Sequence, residues 1–328
     1  AYAVTNSWEA YKSSKVAPCS EHSATIVNGV VYIFGGQNRG QFNNTLYALQ
    51  MPDPNDSNPM IHWEVINAAN APCARASHLA VATGNRFLYI FGGYYRTDTF
   101  DSTCLNDSIA LTQDGLVLTA RTEKRESNTM KIKPQEHGDH RAKISLKPSP
   151  RYGHVGFAYR ERIYVFGGRS AGDEFSDLYY FDTVEETWTQ VLNSIGYIPT
   201  PRIAIACASM DQHLILLGGE NRTTVFSDVF HYNAGKFSIC VRLRRKILAS
   251  PITFSYLETN EWHLVSLTVS LDNRMGASLI VQPDPAAPNL LSSADFYCFG
   301  GRVMNLDGSK IPTSDIIQLR VLGKLLYY

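Results

Sequence analysis

The sequence predicts an all-β chain whose repeated four-stranded sheets form the blades of a β-propeller, and three observations predict it. Residues 149–191 hold four runs of four to six apolar, β-branched or aromatic residues, each bounded by Gly, Pro, Asp or a polar turn, as strands are. A run that ends in paired glycines recurs five times, at Gly35-Gly36, Gly92-Gly93, Gly167-Gly168, Gly218-Gly219 and Gly300-Gly301. The first glycines lie 57, 75, 51 and 82 residues apart. A lone four-stranded sheet cannot bury both of its faces, so such a repeat gains a core only by stacking against copies of itself.

The third copy is the clearest. Its strands are 154–159, after the turn Pro150-Arg151-Tyr152-Gly153; 162–166, stopping at Gly167-Gly168; 178–181, introduced by Asp177; and 187–192, alternating around Trp188. Paired glycines suit a place where blades converge, because a residue without Cβ allows φ > 0 and close backbone approach. Apolar strand, Gly-Gly, loop, Asp before an aromatic strand and a Trp further on resemble the kelch repeat, whose period is about 50 residues. The resemblance covers nearly the whole chain and implies a kelch β-propeller.

In chain order, residues 4–11 around Trp8 have no blade of their own. They are expected to be the outer strand of the last blade, closing the ring by pairing the termini and removing exposed sheet edges. Blade one reads as 22–27, 30–34, 46–49 and 62–66, with the Pro/Asn/Asp-rich 51–60 as a loop; blade two reads as 76–83, 87–91, 108–111 and 116–120. Blade three is the template, and blade four reads as 203–208, 214–217, 229–232 and 237–242. Aligning residues 201–219 with 250–268 assigns 252–257 and 262–267 to a degenerate fifth blade near 250–270 that lacks its glycines. Arg274-Met275-Gly276-Ala277 repeats the Arg151-Tyr152-Gly153-His154 turn and starts a sixth blade, continued by 296–299 and 315–320. Residues 1–328 are thus expected to form one six-bladed propeller.

Composition narrows the function classes. A length of 328 residues suits two ordinary domains or one propeller. The net charge of zero gives no global field for nucleic acid, leaving only local patches. No stretch approaches the roughly 20 apolar residues of a membrane span, and no signal peptide is visible, so no membrane role is expected. Six single cysteines without a CxxC pair point to a reducing compartment, nuclear or cytoplasmic. Sequons at Asn43, Asn55, Asn106 and Asn221 point instead to secretion. His22, His78 and His154 recur at one repeat position and read as structural; His137 and His140 have no third ligand in view. With no Gly-x-Ser-x-Gly and no phosphate-cradling loop before a helix, no catalytic residue, metal or cofactor is expected.

Two stretches are basic. Residues 121–147 carry Arg121, Lys124, Arg125, Lys131, Lys133, Arg141, Lys143 and Lys147 against four acids, a local charge of +4 with little apolar drive to pack. Arg242, Arg244, Arg245 and Lys246 form the densest cluster, and both stretches are candidate nucleic-acid contacts. A third set is scattered but periodic: Arg39, Arg96, Arg169, Arg222 and Arg302 each lie within three residues of a Gly-Gly pair, on loops expected to share one face. Their planar forks suit carboxylate or phosphate, which makes this the candidate partner-binding face. Arg75, Arg151, Arg202 and Arg274, at the start of first strands, read instead as structural donors to loop carbonyls.

One closer resemblance adds to this. Residues 150–154, the Val-Phe-Gly-Gly-Arg-Ser run ending at Ser170 and residues 118–124 resemble the accessory kelch subunit of the V(D)J recombinase and its transposon relatives, over about 50 residues. The resemblance implies a non-catalytic propeller that binds a larger recombinase or transposase subunit and supports DNA contacts in the nucleus. No zinc-binding PHD finger follows the propeller here. The alternatives are a ubiquitin-ligase substrate receptor that binds an acidic peptide on the arginine face, and a secreted carbohydrate-active enzyme.

Overall fold

Two-residue periodicity makes the strands, and short turns set their pairing. In blade three, Val155–Tyr159 pairs antiparallel with Arg162–Phe166, that strand with Leu178–Asp182, and that one with Thr187–Gln190. The first hairpin turns on Arg160-Glu161, with Arg160 at φ 52°; in blade one the same turn is Asn28-Gly29, at 50° and 79°. Positive φ in a two-residue turn matches the right-handed twist of the flanking strands.

The computed structural model describes residues 19–50, 63–67, 71–84, 87–96, 102–112, 117–120, 147–192, 194–237, 257–258, 260–264, 273–283, 286, 294–304, 307–313 and 316–320. Every regular element among them is a strand, as the sequence predicts. The chain divides into two units, Ala1–Lys143 with Pro150–Tyr152, and Ile144–Ser149 with Gly153–Tyr328.

The first unit holds blade one (Ser23–Val27, Val30–Phe34, Leu46–Gln50, Trp63–Ile66) and blade two (Leu79–Thr83, Phe87–Phe91, Ser108–Thr112, Val117–Ala120). Val27, Tyr32, Phe34 and Leu46 pack on Leu88, Ile90, Ile109 and Leu111, so the two sheets bury each other's faces. The second unit holds blade three, blade four (Ala206–Met210, His213–Leu217, Val229–Asn233, Glu261–Leu264) and the last blade (Ser278–Gln282, Asp295–Phe299, Ile316–Arg320). Phe157, Tyr164 and Phe166 meet Leu214, Phe230, Tyr232 and Trp262 on one side of blade four; Ile215, Leu217 and Val229 meet Leu279, Phe296 and Cys298 on the other. Each such side chain contributes about 1.5–3 kcal/mol on burial.

The outer strand of blade four differs from expectation. It is Glu261–Leu264, paired with Val229–Asn233 through Tyr232↔Trp262. Lys236–Phe237 leaves the sheet and pairs with Leu257–Glu258. The cause is Trp262, whose ring lies 4.8 Å from both Phe166 and Tyr232 and is 1% exposed. The strand on which a degenerate blade was counted therefore completes the fourth, and the described residues form five blades. Residues 4–11, 121–146 and 238–256, with the basic side chains of both stretches up to residue 146 and at 242–246, lie outside the described residues.

Candidate partner-binding face

The paired glycines fix the loops that would meet a partner. The second glycine's N–H donates to the carbonyl of the arginine that starts the next blade: Gly36 to Arg75 (2.8 Å), Gly93 to Arg151 (2.9 Å), Gly168 to Arg202 (3.1 Å) and Gly219 to Arg274 (2.9 Å). At Gly219 (φ 90°) a Cβ would meet the Ile203 carbonyl oxygen at 2.7 Å, and at Gly218 it would meet the Arg274 oxygen at 2.2 Å. No other residue fits that approach.

The same arginines then brace their own blades. Arg202 donates from Nη1 to the Gly218 carbonyl (3.0 Å) and to Asp228 Oδ1 (2.5 Å), and from Nη2 to Asp228 Oδ2 (3.0 Å). Arg75 repeats this with Gly92 (3.0 Å) and both oxygens of Asp107 (2.7 Å each), while Arg274 donates to the Gly300 carbonyl (2.8 Å). All four, Arg151 included, are at most 1% exposed. Arg75, Arg202 and Arg274 thus occupy the structural role expected of them, and Asp107 and Asp228, read from sequence only as repeat markers, are the clamp's second jaw.

The arginines after Gly-Gly divide by position. Arg39, Arg96 and Arg222 stand third after the glycines and are exposed. Arg169 and Arg302 stand first. Side chains at the first position brace the loops: Arg169 pairs with Glu174, Gln37 Nε2 and Tyr94 Oη donate to Glu21 (3.3 and 3.1 Å), and Glu220 accepts from Lys310. Arg302 is exposed, and Arg222, 62% exposed, lies 3.7 Å from the same Glu174 that holds Arg169. Arg169 thus serves its own loop, and the exposed cations are Arg39, Arg96 and Arg222 at the third position and Arg302 at the first.

His78 is buried, with Nε2 2.8 Å from Ser23 Oγ, while His22 is exposed beside the Cys19 sulfur (3.5 Å). Among the described residues no group of three His, Cys, Asp or Glu is placed to hold a metal ion, and no helix is long and apolar enough to cross a membrane. Sequence reading missed one cluster. His213, His231 and His263 share a face of blade four: His213 Nδ1 lies 2.9 Å from His231 Nε2, and His263 stacks on His231 at 5.6 Å. His231 is fully buried, and burial, then the neighbouring His213 and His263, push its pKa down to about 3. The signal was their strand register, which needs the outer strand correctly placed.

A sequence profile described as the KLHDC2/KLHL20/DRC7 Kelch-repeats domain matches residues 2–144 and 127–238. Kelch domain-containing protein 3 of Homo sapiens is 29% identical over 227 residues, covering 66% of this chain and 52% of its own length. Rho GTPase-activating protein gacHH of Dictyostelium discoideum is 30% identical over 175 residues, 50% of this chain and 10% of its own. The chain spans about half the length of the first of these relatives. The solved structure of YjhT superposes with a TM-score of 0.59 at 16% identity, over 92% of this chain and 81% of that one, a likeness that shows the β-propeller fold.

Proposed function

The chain belongs to the kelch-repeat family described as KLHDC2/KLHL20/DRC7, and from that premise we propose that it is a non-catalytic docking module holding an acidic segment of a protein partner on the loops after the paired glycines of its first unit. The observation that carries this is the division of those loops. In the first unit the first-position side chains, Gln37 and Tyr94, brace the loops through Glu21, whereas Arg39 and Arg96 are exposed at the third position. A braced loop spares the cost of ordering the backbone when its guanidinium grips a carboxylate in a two-pronged bond, which favours affinity for acidic peptide.

The test is fluorescence anisotropy of the purified chain with a labelled Asp/Ser peptide against its Asn/Ser counterpart. The acidic peptide binds and the neutral one does not. Replacing Arg39 and Arg96 together by Ala weakens binding about two- to thirtyfold, at roughly 0.2–1 kcal/mol per exposed pair. Equal binding of both peptides, or an unchanged affinity in this variant, refutes the reading.

Two narrower readings build on it. An accessory subunit of a DNA recombinase rests on the resemblance around residues 118–124 and 150–170; the basic residues it would lay on DNA, Arg121 to Lys133 and Arg242 to Lys246, fall outside the described residues. A ubiquitin-ligase substrate receptor needs only the arginine loops. Capture of partners from native extract separates them. A recombinase recovered with DNA, released by nuclease and steeply by salt, supports the first; an acidic protein indifferent to nuclease supports the second.

A further inference from the structure

The arginines of the first unit do not stand alone. Phe42, on the hairpin after Gly36, meets Tyr94 edge-on at 5.2 Å, and Tyr94 meets Tyr152 at 4.9 Å, so three rings from three successive loops form an arc. All three are half-buried, which leaves part of each ring open. Arg39 is exposed on the hairpin that ends in Phe42. Arg96 is exposed two residues beyond Tyr94, close enough for its charge to act on the Tyr94 phenol.

A carboxylate set into the arc is already engaged. Glu21 accepts from Ser77 Oγ (2.6 Å) and Tyr94 Oη (3.1 Å) on one oxygen and from Gln37 Nε2 (3.3 Å) on the other. These bonds tie the loops of blades one and two and fix the Tyr94 ring. They also spread the charge of Glu21 over three donors, which lessens its repulsion of an incoming acid. Burial, followed by Glu21, pushes the Tyr94 phenol up to about 12, so the ring stays neutral and keeps its donated bond.

We infer that the first unit reads a composite motif: an acidic peptide segment carrying an aromatic side chain, whose ring packs on Phe42, Tyr94 and Tyr152 while its carboxylates meet Arg39 and Arg96. The inference rests on the docking reading above and adds the aromatic requirement. Rings fixed at loop positions offer offset or edge-on contacts at small entropic cost, and charge flanking an apolar floor orders the peptide along it.

Three labelled peptides test it with the full chain: Asp/Ser, Asp/Ser with one Trp, and Asn/Ser with one Trp. The Trp-bearing acidic peptide binds about two- to tenfold tighter than the Trp-free one, the gain expected of an aromatic contact. In a Phe42→Leu/Tyr152→Leu variant that ratio falls to unity while Asp/Ser affinity stays. Tyr152→Leu alone lowers the ratio part of the way, and covers the case in which the double variant fails to fold; an unchanged ratio in it overturns the aromatic inference. A ratio of unity in the wild type, with Asp/Ser still bound, overturns the aromatic inference alone. Failure of every acidic peptide to bind, or equal binding of the Asn/Ser peptide with Trp, overturns the docking reading as well.

Discussion

Acidification should destabilise this protein through His231 and its two histidine neighbours, with His231 shifted furthest. It is fully buried on blade four between His213 and His263, and its pKa falls from 6.5 to about 3 because burial, then His213, then His263, disfavour its charged form. A folded-state pKa below the unfolded one means that the unfolded chain takes up the proton first. Stability is therefore complete above about pH 6.5 and is lost as pH falls from there toward 3. At about pH 5 the gap of 1.5 pH units below the unfolded value costs about 2 kcal/mol, and the limit near pH 3 is about 4–5 kcal/mol, at 1.36 kcal/mol per unit. His213 and His263 are also lowered, mainly by burial, and act with the same sign; Asp211 and Glu261, which oppose the shift in each, moderate them. The assay is urea unfolding at about pH 7 and pH 5 for the wild type and His231→Phe, with imidazole NMR titration as the direct readout. The variant should lose about 2 kcal/mol less than the wild type between the two pH values. Parallel pH profiles, or a His231 titration midpoint near that of a free imidazole, would refute the argument.

Two further perturbations address the frame of the loops. Asp228→Asn leaves the buried Arg202 guanidinium without its charge partner and should cost about 3 kcal/mol, read as a lower urea midpoint, because removing one partner of a buried pair is costly. Gly219→Ala sets a methyl 2.7 Å from the Ile203 oxygen at φ 90°, whereas Gly40→Ala, at φ 86° with nothing within 4 Å, meets backbone strain alone. The second should cost about 1 kcal/mol and the first clearly more, by thermal unfolding; equal losses would show that crowding is not what reserves the paired glycines.

Much of this was legible in the sequence because the repeat's constraints are local. A positive-φ pair pressed against neighbouring backbone, as Gly218-Gly219 is, needs glycine at both positions, so the five pairs announced five blades. Blade four's outer strand was harder to place. Second and fourth strands share the same short apolar alternation, and the residues between Phe237 and Leu257 break the spacing that would tell them apart. The Trp resolves the ambiguity: Trp63 and Trp188 both stand in fourth strands, and Trp262 follows them. The histidine cluster was hidden by the same misplacement, since its three members lie on separate strands and meet only through the register His231↔His263 and the diagonal from His213.

The loops show why position after Gly-Gly matters more than residue type. The first side chain is aimed by a backbone whose φ the glycines dictate, and it lands against the loop that closes its own turn, as in Arg169↔Glu174, or against a neighbouring loop, as in Tyr94 with Glu21. At four of the five pairs that side chain is set by packing: Gln37, Tyr94, Arg169 and Glu220 differ in chemistry yet each braces a loop, and Arg302 is exposed. Two residues later the chain has left the constraint. Arg39, Arg96 and Arg222 are exposed there, and none of their side chains makes the stitch between blades, which is backbone to backbone. On the docking reading proposed above, recognition can vary on this frame while stability stays fixed, the separation expected where binding residues sit on loops held by a rigid scaffold.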